Sequence, residues 1–132
     1  MKRPDRKDTG RIPTDIRLRR KSRLLEVTFD DGSCFELPAE YLRVYSPSAE
    51  VRGHGPGQAV LQVGKAGVNI TNVEPVGQYA VRLVFDDGHS TGLYSWDLLY
   101  DLGSNQQQYW QDYLQALAEA GYSRHARDDH DA

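Results

Sequence analysis

The sequence predicts an α+β fold: antiparallel β hairpins in a degenerate two-unit repeat, with short helices and a closing C-terminal helix. Three observations carry this. First, FDDG occurs twice in matching surroundings, "RLLEVTFDDGSCFELPAEYL" and "YAVRLVFDDGHSTGLYSWDLL". With Phe29 laid on Phe85, Val27 meets Leu83, Leu37 meets Leu93 and Leu42 meets Leu98. Second, the flanks alternate apolar and polar residues and are joined by tight turns, which pair strands antiparallel and leave no room for crossover helices. Third, the last long segment switches to helical spacing.

The elements follow in order. "TDIRLRRKSRLLEVTF" places Ile16, Leu18, Leu25, Val27 and Phe29 at period two, giving two short strands separated by "RRKS". "DDGS" is a turn, since Asp and Gly tolerate positive φ, and the chain returns through "CFEL". "LPAEYLRVYS" changes period, with Pro38 suited to a first helical turn and Tyr41, Leu42 and Tyr45 on one face. "SPSAEV" adds a helical turn capped by Ser46 or Ser48, and "RGHGPGQAV" is a loop by composition. Strands resume with Val68, Ile70 and Val73, turn at "EPVGQ", and run from Ala80 to Phe85. After the second turn, "LYSWDLLYDLG" reads as a helix stopped by Gly103. "SNQQQYWQDYLQALAEAGY" is the clearest helix, capped by Ser104 or Asn105 and ended by Gly121; Tyr109, Tyr113, Leu114 and Leu117 form its apolar stripe.

Length and composition bound the function. At 132 residues, with 39% hydrophobic and 27% charged, the chain is long enough for one domain with its own core. The expected organisation is a flexible basic arm over 1–11, a domain over 12–122 and a polar tail over 123–132. No apolar run approaches membrane-spanning length and the start shows no secretory signal, so no membrane contact and a cytoplasmic location are expected. Residues 1–22 carry nine Lys/Arg against three Asp; the rest carries seven Lys/Arg against sixteen Asp/Glu. An acidic body repels phosphate, so no nucleic-acid partner is expected. The single cysteine, Cys34, excludes an internal disulfide and reads as a small buried hydrophobe.

The stretches "PAEYLRVYSPSAEVRGHG", "YAVRLVFDDGHSTGLYSWDLL", "IRLRRKSRLLEVTFDDGSCFEL" and "VEPVGQYAV" resemble the gamma-butyrobetaine hydroxylase-like N-terminal domain, over about residues 13–115. In the hydroxylases of that family the domain precedes a 2-oxoglutarate and iron dioxygenase domain and carries a zinc site without being the catalyst. Other members are stand-alone bacterial proteins, which this chain resembles most. A version is also appended to plant P-loop carriers of iron–sulfur clusters. The resemblance therefore implies a non-catalytic accessory role, with a protein partner linked to iron or iron–sulfur proteins. It also implies where zinc would sit. The family follows a Trp-Leu-Arg stretch with C-x-C-x-x-C; here the matching "YLRVYSPSAEV" puts Ser46, Ser48 and Val51 at the cysteine positions. The fourth ligand, a histidine, matches His89. Serine hydroxyls are poor zinc ligands near neutral pH and valine is none.

Candidate sites are few. His89 is either a metal or partner contact, or a turn residue bonding its own backbone. His54, between glycines, converges with His89 if its loop folds back. Those two histidines with Asp86, Asp87 or Glu50 would then make a 2-His-1-carboxylate set for iron. Iron or zinc is accordingly the cofactor to consider, and metal binding through His89 and His54 the alternative function. Arg43, Tyr45, Glu50, Arg52 and His54 are the expected partner-reading surface, with Tyr94 and Trp96 either flanking it or filling the core. The paired aspartates read as hairpin chemistry rather than catalytic acids. No nucleophile elbow or P-loop is present, so no enzyme is expected.

Overall fold

Alternating residues pair into two three-stranded antiparallel sheets. The computed structural model describes residues 11–52 and 60–124, with only the backbone of Glu50 and Arg52. The expected 1–11 arm except Arg11, the loop with His54 and the tail with His125 and His130 lie outside the described residues. The first sheet joins β1 (Pro13–Arg19), β2 (Leu24–Phe29) and β3 (Cys34–Pro38) in that order, followed by helices α1 (Ala39–Val44) and α2 (Ala49–Arg52). The second joins β4 (Ile70–Val76), β5 (Ala80–Phe85) and β6 (Leu93–Ser95), followed by α3 (Trp96–Ser104) and α4 (Gln106–Ala120).

FDDG explains itself through hydrogen bonds that repeat in both units. Gly32 and Gly88 take φ of 88° and 93°, a conformation open to glycine at little cost. The first aspartate of each copy accepts from the residue just ahead of its sheet's first strand: Asp30 Oδ1 from the Ile12 amide, Asp86 Oδ1 from the Asn69 amide. The second closes the turn: Asp31 Oδ1 accepts from the Ser33 amide and Asp87 Oδ1 from the His89 amide. The two phenylalanines are buried, so the tetrapeptide anchors one ring and pins three strands.

The units then grip each other reciprocally. Tyr100 of α3 donates to Asp31 Oδ2 at 2.6 Å, while Arg43 of α1 donates through Nε to Asp87 Oδ2 at 2.9 Å. Tyr41 donates to the Leu102 carbonyl at 2.7 Å and Tyr94 to the Leu42 carbonyl at 2.5 Å. One shared core results, with Leu25, Val27, Leu37 and Leu42 of the first unit and Leu83, Tyr94 and Leu99 of the second all fully buried. Helix α4 closes it: Trp110 packs edge-on to Tyr41, and Tyr45 donates to the Tyr109 carbonyl.

Several expectations change. β4 runs through Glu74 and Pro75 to Val76, so the turn lies at 77–79; β4 is an edge strand, where Pro75 needs no ladder partner for its missing N–H. Leu93–Ser95 is a strand, not the start of a helix. Gly103 does not stop α3; a Cβ there would come within 2.3 Å of the Phe35 ring, so glycine permits that contact. Pro38 ends β3 ahead of α1, and the Asn105 side chain bonds back to Asp101 instead of capping α4. Cys34 is exposed, because period two turns Phe35 and Leu37 inward and Cys34 outward. Arg124, expected in a loose tail, makes a bidentate pair with buried Glu40 at 2.7 and 2.9 Å.

Candidate functional site

The position that follows each DDG turn faces the other unit. In the first unit it is Ser33, whose hydroxyl lies 3.3 Å from that of Tyr100. In the second it is His89, only 5% exposed, with Nε2 2.8 Å from Ser46 Oγ. Ser46 is also buried and accepts from the Ser48 amide at 3.2 Å. Ser48 Oγ in turn lies 2.6 Å from Thr91 Oγ1. Gly92 makes this closeness possible: a Cβ there would sit 2.5 Å from Ser46 Oγ. The segment 46–51 and the segment 89–92 are thus stitched together by hydroxyl and imidazole groups, with Val51 buried beside them.

Four residues that the sequence comparison lined up with a zinc site are Ser46, Ser48, Val51 and His89; the structure brings Ser46 and His89 into direct contact and buries all four. Their donor set does not fit zinc. One imidazole, two neutral hydroxyls and an isopropyl group offer a single good ligand where a structural site needs four. Among the described residues no group of three or more His, Cys, Asp or Glu side chains is arranged to hold a metal ion. His54 is undescribed, so its approach to His89 is untouched by the geometry.

Asp87 is the electrostatic centre of the junction. Burial works against its ionisation. The His89 amide, Lys65 at 3.0 Å and Arg43 at 2.9 Å outweigh burial and hold its carboxyl down at about 2. A carboxylate whose folded pKa lies below its unfolded value, about 4, contributes stability above that value. That contribution is lost as pH falls from about 4 toward 2. Urea unfolding across this window should show the loss in the parent chain and a flatter profile in Asp87→Asn.

Arg43, expected on a partner-reading surface, is buried instead and also donates to Gln62 Oε1 at 2.9 Å. Tyr45 is half-buried, its ring against Tyr41 and Tyr109. Both therefore hold the units and α4 together. Tyr94 is fully buried and Trp96 packs on the core with its indole N–H on the Gln78 carbonyl, so the core reading holds for both. The side chains of Glu50 and Arg52 lie outside the described residues, with His54.

His89→Ala is expected to destabilise the fold by about 1–3 kcal/mol, because Ser46 would be left buried without its imidazole partner. Ser46→Ala in the same chain should recover part of that loss, since removing both partners of a buried bond costs less than removing one. Denaturant midpoints of the three variants read this directly.

Sequence reasoning missed a cavity of about 840 Å³ beside this junction. Its apolar wall is formed by Val44, Val51, Leu61, Leu93, Leu98 and Tyr113. The sequence match of Leu37 to Leu93 and Leu42 to Leu98 slips by one residue in the structure: Val81, which matches Leu25, pairs with Tyr94 where Leu25 pairs with Leu37, so Tyr94 and Leu99 fill the core and Leu93 turns outward, 47% exposed beside the cavity.

Known proteins place these observations. The family model described as gamma-butyrobetaine hydroxylase-like, N-terminal, matches residues 16–100. Two proteins solved by NMR are similar to the chain. One is 55% identical, with a TM-score of 0.78, covering 93% of this chain and 91% of its own. The other is 52% identical, with a TM-score of 0.76, covering 87% and 90%. A crystal structure of a protein of unknown function in the DUF971 family, from Acidithiobacillus ferrooxidans, is 40% identical with a TM-score of 0.58, covering 69% of this chain and 91% of its own. No curated protein matches. With well over half of its length under one family model and relatives sharing its fold, the chain belongs to the gamma-butyrobetaine hydroxylase-like N-terminal family.

Proposed function

We propose that this domain is a non-catalytic accessory module that binds a protein partner, and that the partner handles iron or iron–sulfur clusters. The observation that carries partner binding is the contrast at the junction. The residues at the family's metal positions are closed into a buried Ser46–His89 contact, while the apolar cavity beside them stays open, with Leu93 and Val60 exposed on it. Exposed apolar side chains around a concavity are a common mark of protein recognition. The iron link rests on the company the domain keeps in its family. The cytoplasm is the compartment proposed, and an exposed unpaired thiol at Cys34 suits its reducing conditions.

A photo-crosslinking amino acid at Leu93, introduced in cells, tests this. The expected result is a small set of discrete adducts, containing an iron or iron–sulfur protein and absent when the same group replaces Glu119 on the exposed side of α4. Indistinguishable adducts from both positions would count against partner binding. Discrete adducts with no iron protein among them would remove the iron link alone.

A further inference from the structure

Among the described residues Glu40, in the first turn of α1, carries the one buried carboxylate, its side chain 7% exposed. Arg124 takes both of its oxygens, at 2.7 and 2.9 Å. A buried charge that loses its partner is costly, so this pair fixes where residue 124 lies. The chain after α4 is turned to deliver it. Gly121 takes φ of 81°; its amide bonds the Ala118 carbonyl and the Tyr122 amide bonds the Leu117 carbonyl, the two hydrogen bonds that reverse a chain at a helix end. The Arg124 guanidinium lies over the Trp110 ring, 5.5 Å from its centroid. Helix α4 itself is held in two halves. Tyr109 and Trp110 pack against the shared core, and Tyr45 donates to the Tyr109 carbonyl. Beyond them Tyr113 and Leu117 form a small second cluster with Val44, to which the Tyr113 hydroxyl adds a bond to the Gln62 carbonyl at 2.7 Å. Three buried side chains cover far less apolar area than the shared core, so this half detaches at lower cost than the sheets come apart. Tyr113 and Ala116 also line the 840 Å³ cavity, so detaching this half opens that wall and leaves Val44, Leu61, Leu93 and Leu98 in place.

We infer that the second half of α4, from Tyr113 to Ala120, together with residues 121–124 is a flap over the cavity that opens while both sheets stay folded, and that Arg124 is its latch on Glu40. The latch ties the far end of the flap to α1, so it breaks before the flap lifts. It is broken in the flap-open state and in the unfolded chain alike, so its removal makes both openings easier. The shared core is intact with the flap closed or open, so weakening that core eases unfolding of the sheets and leaves flap opening unchanged.

Native-state amide hydrogen exchange of the full chain, read by NMR over a series of low urea concentrations, tests this. In the parent the amides of residues 114–120 should share one protection factor and one urea dependence, and be about thirtyfold or more less protected than those of the central strands β2 and β5. Arg124→Ala should lower protection in 114–120 by about tenfold or more, with the two strands falling by the same factor, because Glu40 is then buried without its partner. Ile70→Val, at a fully buried site of the shared core, should lower protection in β2 and β5 severalfold and leave 114–120 at the parent value. Amides of 114–120 that follow β2 and β5 in both variants would show that α4 opens only with the whole chain. Rates in 114–120 that differ residue by residue and ignore urea would show ordinary fraying of a helix end. Parent rates there in Arg124→Ala would show that Arg124 is no latch. Any one of these three results overturns the inference.

Discussion

Phe85→Ala is expected to cost the fold about 3–5 kcal/mol, the range for emptying a buried phenylalanine site. Phe85 is 2% exposed, sits in the shared core, and its ring faces His89 with centroids 6.0 Å apart. Its amide donates to the His89 carbonyl at 2.9 Å and so closes the second turn. Phe29→Ala should cost a similar amount, since Phe29 is 1% exposed and packs edge-on to Phe35 and Tyr100. The prediction with most content is the comparison. If the two copies of FDDG are equivalent anchors of a duplicated fold, the two denaturant midpoints fall together. A loss confined to one copy would mean that the units do not share the core as described.

Arg43→Met is the second large effect, expected at about 2–4 kcal/mol, because removing one member of a buried pair strands the other. The Arg43 side chain is 10% exposed and bridges α1 to the second turn through Asp87 and to Gln62. Methionine keeps much of the stem's packing, so the loss reports chiefly the guanidinium. Lys65 remains on Asp87 at 3.0 Å and sets the lower end of the range. Asp87→Asn in the Arg43→Met background should add less than it does alone, since the two act through one contact.

Much of the architecture was legible locally. Period-two alternation marked β1, β2 and β5, and Asp-Asp-Gly marked both turns, because those signals act between neighbours in the chain. Helix α4 was legible from its stripe and from Gly121, which ends it with φ of 81°. The misses have two causes, short elements and long-range contacts. β6 was absorbed into a helix because three residues are too few to show a period, and the repeat matched Leu93 to Leu37 although Tyr94 takes that place in the sheet. Gly103 looked like a stop because its reason is the ring of Phe35, far away in sequence. Arg43 looked like a surface residue because its carboxylate lies 44 positions on. His89 was singled out from the repeat, but its contact with Ser46, 43 positions away, was not legible. A single sequence carries local periodicity well and long-range pairing poorly, and the junction between the units is made of long-range pairs.

The junction leads to the central proposal: His89, in contact with Ser46 from the second turn, acts as a tie between the units in place of a metal ligand. The most direct test is elemental analysis of the tag-free chain after exchange into metal-free buffer, beside His89→Ala, with unfolding midpoints taken with and without a chelator. The account predicts substoichiometric iron and zinc in both proteins, a parent midpoint that the chelator does not move, and a lower midpoint in His89→Ala. About one iron or zinc per chain, lost in His89→Ala, would contradict it and make His54 the next ligand to replace.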